Sequence, residues 1–151
     1  MALYLVQHGK AVTGEADPGL TEEGKADATR IATVARDYRV AVAGIVHSGK
    51  KRALQTARIF ADILGPGIPV GQGAGMSPND DVAEFAARLD YAKNLMFVGH
   101  LPFMERLTAY LVAGSTARPV FKFQNAGIVC IDMHPDLKSP VIVWTLMPHI
   151  Q

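Results

Sequence analysis

The sequence predicts an α/β fold with a largely parallel sheet, closed by an antiparallel pair of strands. Three observations predict it. Short apolar runs alternate with stretches whose apolar residues recur at helical spacing. Three of the core runs stop at polar groups, Gln7-His8-Gly9, His47-Ser48 and Gly99-His100. The last two runs, Gly127 to Met133 and Val141 to Met147, are separated around His134-Pro135-Asp136, the composition of a hairpin turn.

Leu3 to Val6, apolar with one aromatic, has the composition of a buried strand. Val12 to Gly19 is a polar loop containing Gly and Pro. A helix then starts at Thr21 as N-cap, with Glu22 and Glu23 in the first turn, where the helix dipole favours negative charge. Ile31, Val34, Ala35 and Tyr38 form its apolar face. Val40 to Val46 is the next strand, and Ser48 is expected to cap a second helix with Ala53, Ala57, Phe60 and Leu64 inward. Gly65-Pro66-Gly67 ends that helix. Ile68 to Val70 is a short strand and Gly71 to Gly75 a loop. Ser77 as cap and Pro78 at the first position open a third helix that buries Val82, Phe85, Ala86 and Leu89. Asn94 to Val98 is a further core strand, and Leu101-Pro102 starts a helix carrying Met104, Leu107 and Leu111 on one face. No repeat, low-complexity tract or linker breaks the pattern, so a single domain over residues 1–151 is expected.

Hydrophobic content of 49% and charged content of 19% describe an ordinary globular chain. A net charge of +1 gives no reason to expect a nucleic-acid or membrane partner. No apolar stretch reaches the length of a membrane span and no signal peptide opens the chain, so a cytoplasmic protein is expected. The one cysteine, Cys130, has no internal partner and reads as a small core residue.

Parallel neighbours would bring the three polar strand ends to one edge of the sheet, the crevice where open α/β sheets bind ligands. Two histidines, Arg52 and a helix N-terminus then surround one cavity. That set suits a phosphoryl group. Arginine supplies a bidentate cation, the helix terminus supplies N–H groups, and a histidine can attack phosphorus. The chain's own positive charge neutralises the oxygens, so neither metal nor cofactor is called for.

Leu5-Val-Gln-His-Gly-Lys-Ala11 resembles the Leu-x-Arg-His-Gly-x-Ala signature of the histidine phosphatase superfamily. Pro18-Gly-Leu-Thr-Glu-Glu-Gly24, Ser48-Gly-Lys-Lys-Arg-Ala-Leu-Gln-Thr-Ala57 and Val98-Gly-His-Leu-Pro102 resemble its further blocks, in the family's order. The short length, without a large insertion, is most similar to the phosphohistidine phosphatase (SixA) branch. The resemblance implies a three-layer α/β/α sandwich of the phosphoglycerate mutase-like kind. It also implies a metal-independent phosphatase in which His8 is the nucleophile, Arg52 clamps the phosphate and His100 donates to the transferring group. Gln7, Gly9 and Ser48 would contact the phosphoryl group. The implied substrate is a phosphorylated protein carrying phosphohistidine or, alternatively, a small phosphate ester.

One position departs from the signature: Gln7 stands where the motif has arginine. Losing a charge-assisted contact to phosphate costs about 1.5–3 kcal/mol, roughly a ten- to hundredfold loss in rate. Lys10, Lys50 or Lys51 could restore the charge; otherwise the chain is a weak phosphatase, a retuned one, or a phosphate- or phosphoprotein-binding module. For a general acid the candidates are Asp80 and Asp81, against which stands a helix-capping reading: Asp80 completes Ser77-x-x-Asp80, and Asp81 is first-turn charge. A phosphohistidine substrate needs such an acid less, because imidazole leaves more readily than an alkoxide.

Other signals are set aside. Gly44-Ile-Val-His-Ser-Gly-Lys50 has the spacing of a phosphate-binding P-loop, but Lys51 follows in place of Ser or Thr, and Ile45-Val46 belong to a strand. His8, His47 and His100 lack the spacing and the cysteine partners of a zinc site. His47 reads as a strand-end residue, His134 and His149 as solvated turn and tail positions, and Trp144 as half-buried strand.

Overall fold

Alternation of polar strand ends and helical stretches is what the computed structural model of the protein, which describes residues 1–150, contains. The strands are β1 (Leu3–Gln7), β2 (Gly44–His47), β3 (Val70–Gln72), β4 (Leu95–Gly99), β5 (Ile128–Met133) and β6 (Pro140–Leu146). The α-helices are α1 (Glu22–Asp37), α2 (Lys51–Leu64), α3 (Val82–Ala86) and α4 (Phe103–Ala113). The sheet order is β3-β2-β4-β1-β5-β6. β1, β2, β3 and β4 run parallel, whereas β5 is antiparallel to both β1 and β6.

Alternation along β1 builds the three layers. Tyr4 and Val6 face a core made with α1 and α2 through Ile31, Ala35, Ala57 and Phe60. Leu3 and Leu5 face the opposite core, made with α3 and α4 through Phe85, Phe103, Met104 and Leu107. Successive strand side chains point to opposite faces, so a strand covered on both sides is apolar throughout. Cys130 is buried on β5, as its apolar neighbours imply.

Helix starts differ from expectation at two places. Thr21 does cap α1, its side chain accepting from Gly24 N–H. Ser48 does not cap α2: the cap residue is Lys50, which makes no side-chain cap bond, and the Ser48 hydroxyl is taken up by His100. Gly49, at φ +96°, turns the chain between the two, and a Cβ there would run into the Gln72 side chain. Nor does Ser77 cap α3. Asp81 does, accepting from Ala83 and Glu84 N–H, while Asp80 accepts from Ser77 N–H in the preceding turn.

Two strands are also displaced. Residues 40–43 lie outside β2, because β4 offers its first partner, Leu95, only opposite Gly44. β3 begins at Val70 rather than Ile68. Tyr38, expected on the inner face of α1, stands at its C-cap and is 80% exposed.

Gly24 lies in the first turn of α1 so close to the Lys10 backbone that a Cβ would overlap the Lys10 carbonyl. Gly24→Ala must therefore move the segment that follows His8. Overpacking of this kind costs about 1–3 kcal/mol. The expected result is a Tm lowered by several degrees in a thermal melt.

Candidate active site

The three polar strand ends meet because β2, β4 and β1 are adjacent. Register sets their level: Gln7 lies opposite Gly99, and His47 opposite Val98. His8 and His100 therefore emerge side by side, and the His8 N–H donates to the Gly99 carbonyl at 3.0 Å. Their rings stand 5.0 Å apart between centroids.

Around His8 the backbone is held from three directions. Asn125 Nδ2 donates to the His8 carbonyl at 2.8 Å, and Ala126 N–H donates to the Gln7 carbonyl at 2.8 Å. Gly9 N–H donates to the buried Thr56 Oγ1 at 2.9 Å, and that hydroxyl donates to the Arg52 carbonyl at 2.8 Å. Thr56 lies one turn beyond Arg52 on α2, so it couples the histidine loop to the helix that carries the arginine. The imidazole is oriented too. His8 Nδ1 lies 2.7 Å from the Gly9 carbonyl, which can only accept, so the proton is assigned to Nδ1. Nε2 is then the lone-pair nitrogen, and Arg52 Nε–H donates to it at 3.2 Å.

His100 is 2% exposed. Its Nε2 lies 2.6 Å from Ser48 Oγ, while its Nδ1 is buried without a partner among the described residues. Burial, with the charges of His8, Arg52 and Lys50, pushes His100 down to about 4. Burial also lowers His8, an effect opposed by its bond to the Gly9 carbonyl and reinforced by Arg52. His47, buried at the end of β2, is lowered by burial and then by Arg58. All three imidazoles thus resist protonation in the native state.

That has a sign for stability. Above pH 6.5, His100 is neutral whether the chain is folded or not. As pH falls, the unfolded chain takes up a proton that the native site refuses until about pH 4. Stability present above 6.5 is therefore lost toward 4, on the order of 3 kcal/mol for His100. His8 and His47 act in the same direction. Urea unfolding at pH 7, 5.5 and 4.5 is expected to show a falling midpoint, with a shallower fall in His100→Gln.

The remaining candidates fall on either side of the site. Gln7 makes no side-chain hydrogen bond among the described residues, and its Oε1 is buried without a partner. Lys10 is drawn away, pairing with Glu23 at 2.7 Å. Lys51 N–H, at the α2 terminus, is already taken by Asp17 at 3.2 Å. Lys50 is the lysine whose charge acts on His100. Asp80 and Asp81 are occupied as turn and cap groups. Ile45 and Val46 lie in β2, so the Gly44–Lys50 spacing forms no phosphate loop. His134 accepts from Asp136 and Leu137 N–H within its turn. His149, expected to be solvated, instead meets the buried Asp27 at 3.0 Å. Asn125 carried no motif signal, since its task is a side-chain bond to a main-chain carbonyl 117 residues away.

The family model described as the histidine phosphatase superfamily (branch 1) matches residues 3–76, the segment with His8, Ser48 and Arg52. No curated protein sequence matches the chain. Among solved structures, the protein histidine phosphatase SixA complexed with tungstate is similar over 98% of this chain and 97% of its own, with a TM-score of 0.85 and 21% identity. A candidate phosphohistidine phosphatase SixA from Agrobacterium tumefaciens is 26% identical, with a TM-score of 0.76 and 97% of each chain covered. The alpha-ribazole phosphatase from Shigella flexneri is 20% identical, with a TM-score of 0.76, covering 100% of this chain and 98% of that one. Signature blocks, layer order and whole-chain likeness agree: residues 3–76 match the histidine phosphatase superfamily, and the whole chain has a SixA-like fold.

Proposed function

We infer that the protein is a metal-independent phosphatase that works through a phosphorylated His8 and acts on phosphohistidine in a protein partner. One observation carries this reading: the Nε2 lone pair of His8, the Arg52 guanidinium at 3.2 Å and the His100 ring 5.0 Å away lie together at the ends of β1, β2 and β4. His8 Nε2 attacks phosphorus while its Nδ1–H keeps donating to the Gly9 carbonyl, so the positive charge that develops on the ring is shared with a backbone dipole. Arg52 exchanges its bond to Nε2 for the phosphoryl oxygens and stabilises the charge that builds on them. His100 Nε2 and the Ser48 hydroxyl, bonded to each other here, turn to the same oxygens. The Gly9 backbone, fixed by Thr56, forms the floor. Water then hydrolyses phospho-His8. Cations on the chain, Arg52 first and Lys50 beside it, supply the countercharge.

A protein substrate is favoured because His8, Ser48 and Arg52 are all partly exposed and no insertion covers them. The test is incubation with a phosphohistidine-bearing carrier protein and with a panel of small phosphate esters, with mass spectrometry of the quenched enzyme. Faster turnover of the carrier and a phosphoryl group on His8 support the reading. Faster turnover of an ester assigns the small-molecule alternative, and no turnover of either assigns a binding module.

Gln7 bears on the rate. Restoring a cation beside His8 with Gln7→Arg is expected to raise turnover of a small phosphate substrate by about ten- to a hundredfold. Steady-state kinetics check it, and a fall in turnover would make the glutamine a functional choice.

A further inference from the structure

The peptide unit between His8 and Gly9 is held at both ends. Its carbonyl accepts from Asn125 Nδ2 at 2.8 Å, and its N–H donates to Thr56 Oγ1 at 2.9 Å. A trans peptide points these two groups in opposite directions, so the two bonds together fix its plane. The next carbonyl, that of Gly9, then lies 2.7 Å from His8 Nδ1. Asn125 therefore bears on the imidazole through the main chain.

Asn125 is itself held in a tight turn. Gly127 N–H donates to the Gln124 carbonyl at 3.0 Å, and Ala126 N–H donates to the Gln7 carbonyl at 2.8 Å. Ala126 is fully buried at φ +67°, a left-handed conformation that a residue other than glycine keeps only where its surroundings hold it. The tail supplies part of that hold. Gln124 Nε2 donates to the His149 carbonyl at 2.9 Å, and Gln124 Oε1 accepts from His149 N–H at 3.0 Å. The tail is tied in turn to α1, where His149 Nε2 meets Asp27 Oδ2 at 3.0 Å and Arg30 donates to the Pro148 carbonyl at 2.6 Å. Hydrogen bonds thus run from α1 through the tail and Gln124 to Asn125, and from there to the main chain of His8, 117 residues away in sequence.

What this arrangement controls is the tautomer of His8. With its proton on Nδ1 and donated to Gly9, the ring keeps a lone pair on Nε2, to which Arg52 Nε–H donates at 3.2 Å. An imidazole side chain free in water prefers the opposite neutral form, with the proton on Nε2. In that form Nε2 has no lone pair for phosphorus and meets the Arg52 donor with a donor of its own. A Gly9 carbonyl free to turn away removes the acceptor that selects the useful form. We infer that Asn125, anchored through Gln124 to the tail, is a positioning residue that holds His8 in the tautomer with Nε2 open for attack. Its consequence for turnover rests on the phosphoryl-transfer reading above; the tautomer itself does not.

The test joins nitrogen-15 NMR of the histidine rings to steady-state kinetics on a phosphohistidine carrier protein, for the full chain and two variants. Signals lost in His8→Ala identify His8. Asn125→Leu removes the donor at similar size, and Gln124→Ala cuts the tie to the tail while leaving the Asn125 amide. The unmodified protein is expected to show His8 protonated on Nδ1. In Asn125→Leu part of the His8 population moves to the Nε2–H form, and kcat falls about ten- to a hundredfold while KM changes less than about twofold. Gln124→Ala shows both changes at smaller size. His8 protonated on Nε2 in the unmodified protein overturns the inference. So does a folded Asn125→Leu that keeps the Nδ1–H form, whatever its rate, or one that shifts tautomer in an active chain with kcat unchanged. If circular dichroism shows Asn125→Leu to be unfolded, Gln124→Ala decides on the same two readouts. A shifted tautomer in a chain that releases no phosphate upholds the anchoring and sinks the phosphatase reading instead.

Discussion

Replacing His8 by alanine is expected to lower dephosphorylation at least about a thousandfold, equivalent to about 4 kcal/mol of barrier, and to abolish the phosphoenzyme. The loss is large because no neighbour can take over. The imidazole next to it, His100, has its Nε2 against Ser48 and its Nδ1 buried, so neither nitrogen is presented to an incoming phosphorus as His8 Nε2 is. The fold should survive the change. The neighbouring backbone is held by Asn125, Ala126, Gly99 and Thr56 through main-chain atoms that alanine keeps. Single-turnover assay of His8→Ala with a phosphohistidine carrier, beside its circular dichroism spectrum, checks both halves. An unchanged rate would remove His8 as nucleophile.

Arg52→Ala is expected to cost about a hundred- to a thousandfold in kcat, the scale seen when a preorganised donor to transition-state charge is removed. The guanidinium has two tasks here: its Nε–H meets His8 Nε2, and its charge opposes protonation of both His8 and His100. Losing it therefore also moves the acid limb of the kcat/KM profile to higher pH. Arg52→Lys keeps the charge without the planar fork, so it should retain the pH profile while recovering only part of kcat. A pH profile that does not move in Arg52→Ala would show that the charge acts on the substrate alone.

The layers of this fold were legible because each strand face is marked in sequence. Leu3-Tyr-Leu-Val6 is apolar at every position, and the chain does cover both faces. The site was legible in the part that lies next to strand ends, since His8, Ser48 and His100 needed only the parallel pairing of β1, β2 and β4 to meet. Short-range capping was less so. Ser48 and Ser77 have the right side chains for N-caps, but a hydroxyl committed to His100 and an aspartate four residues further on took those tasks. Propensity sees only near neighbours, whereas these outcomes depend on contacts across the sheet. Asn125 and His149 lay beyond reach for the same reason: each acts on a residue from the first 27, over more than 100 positions of chain.

The place of β1 between β4 and β5 has a consequence for how the molecule comes into being. Tyr4 is flanked by Met96 on one side and Cys130 on the other, so β1 has both its neighbours only once the chain as far as β5 has been made. At synthesis speeds of about 5–20 residues per second, that apolar strand waits several seconds for its second partner. Until then it offers an open edge on which another nascent chain could pair. The loop that carries His8 therefore reaches its final place only after β5 has joined the sheet.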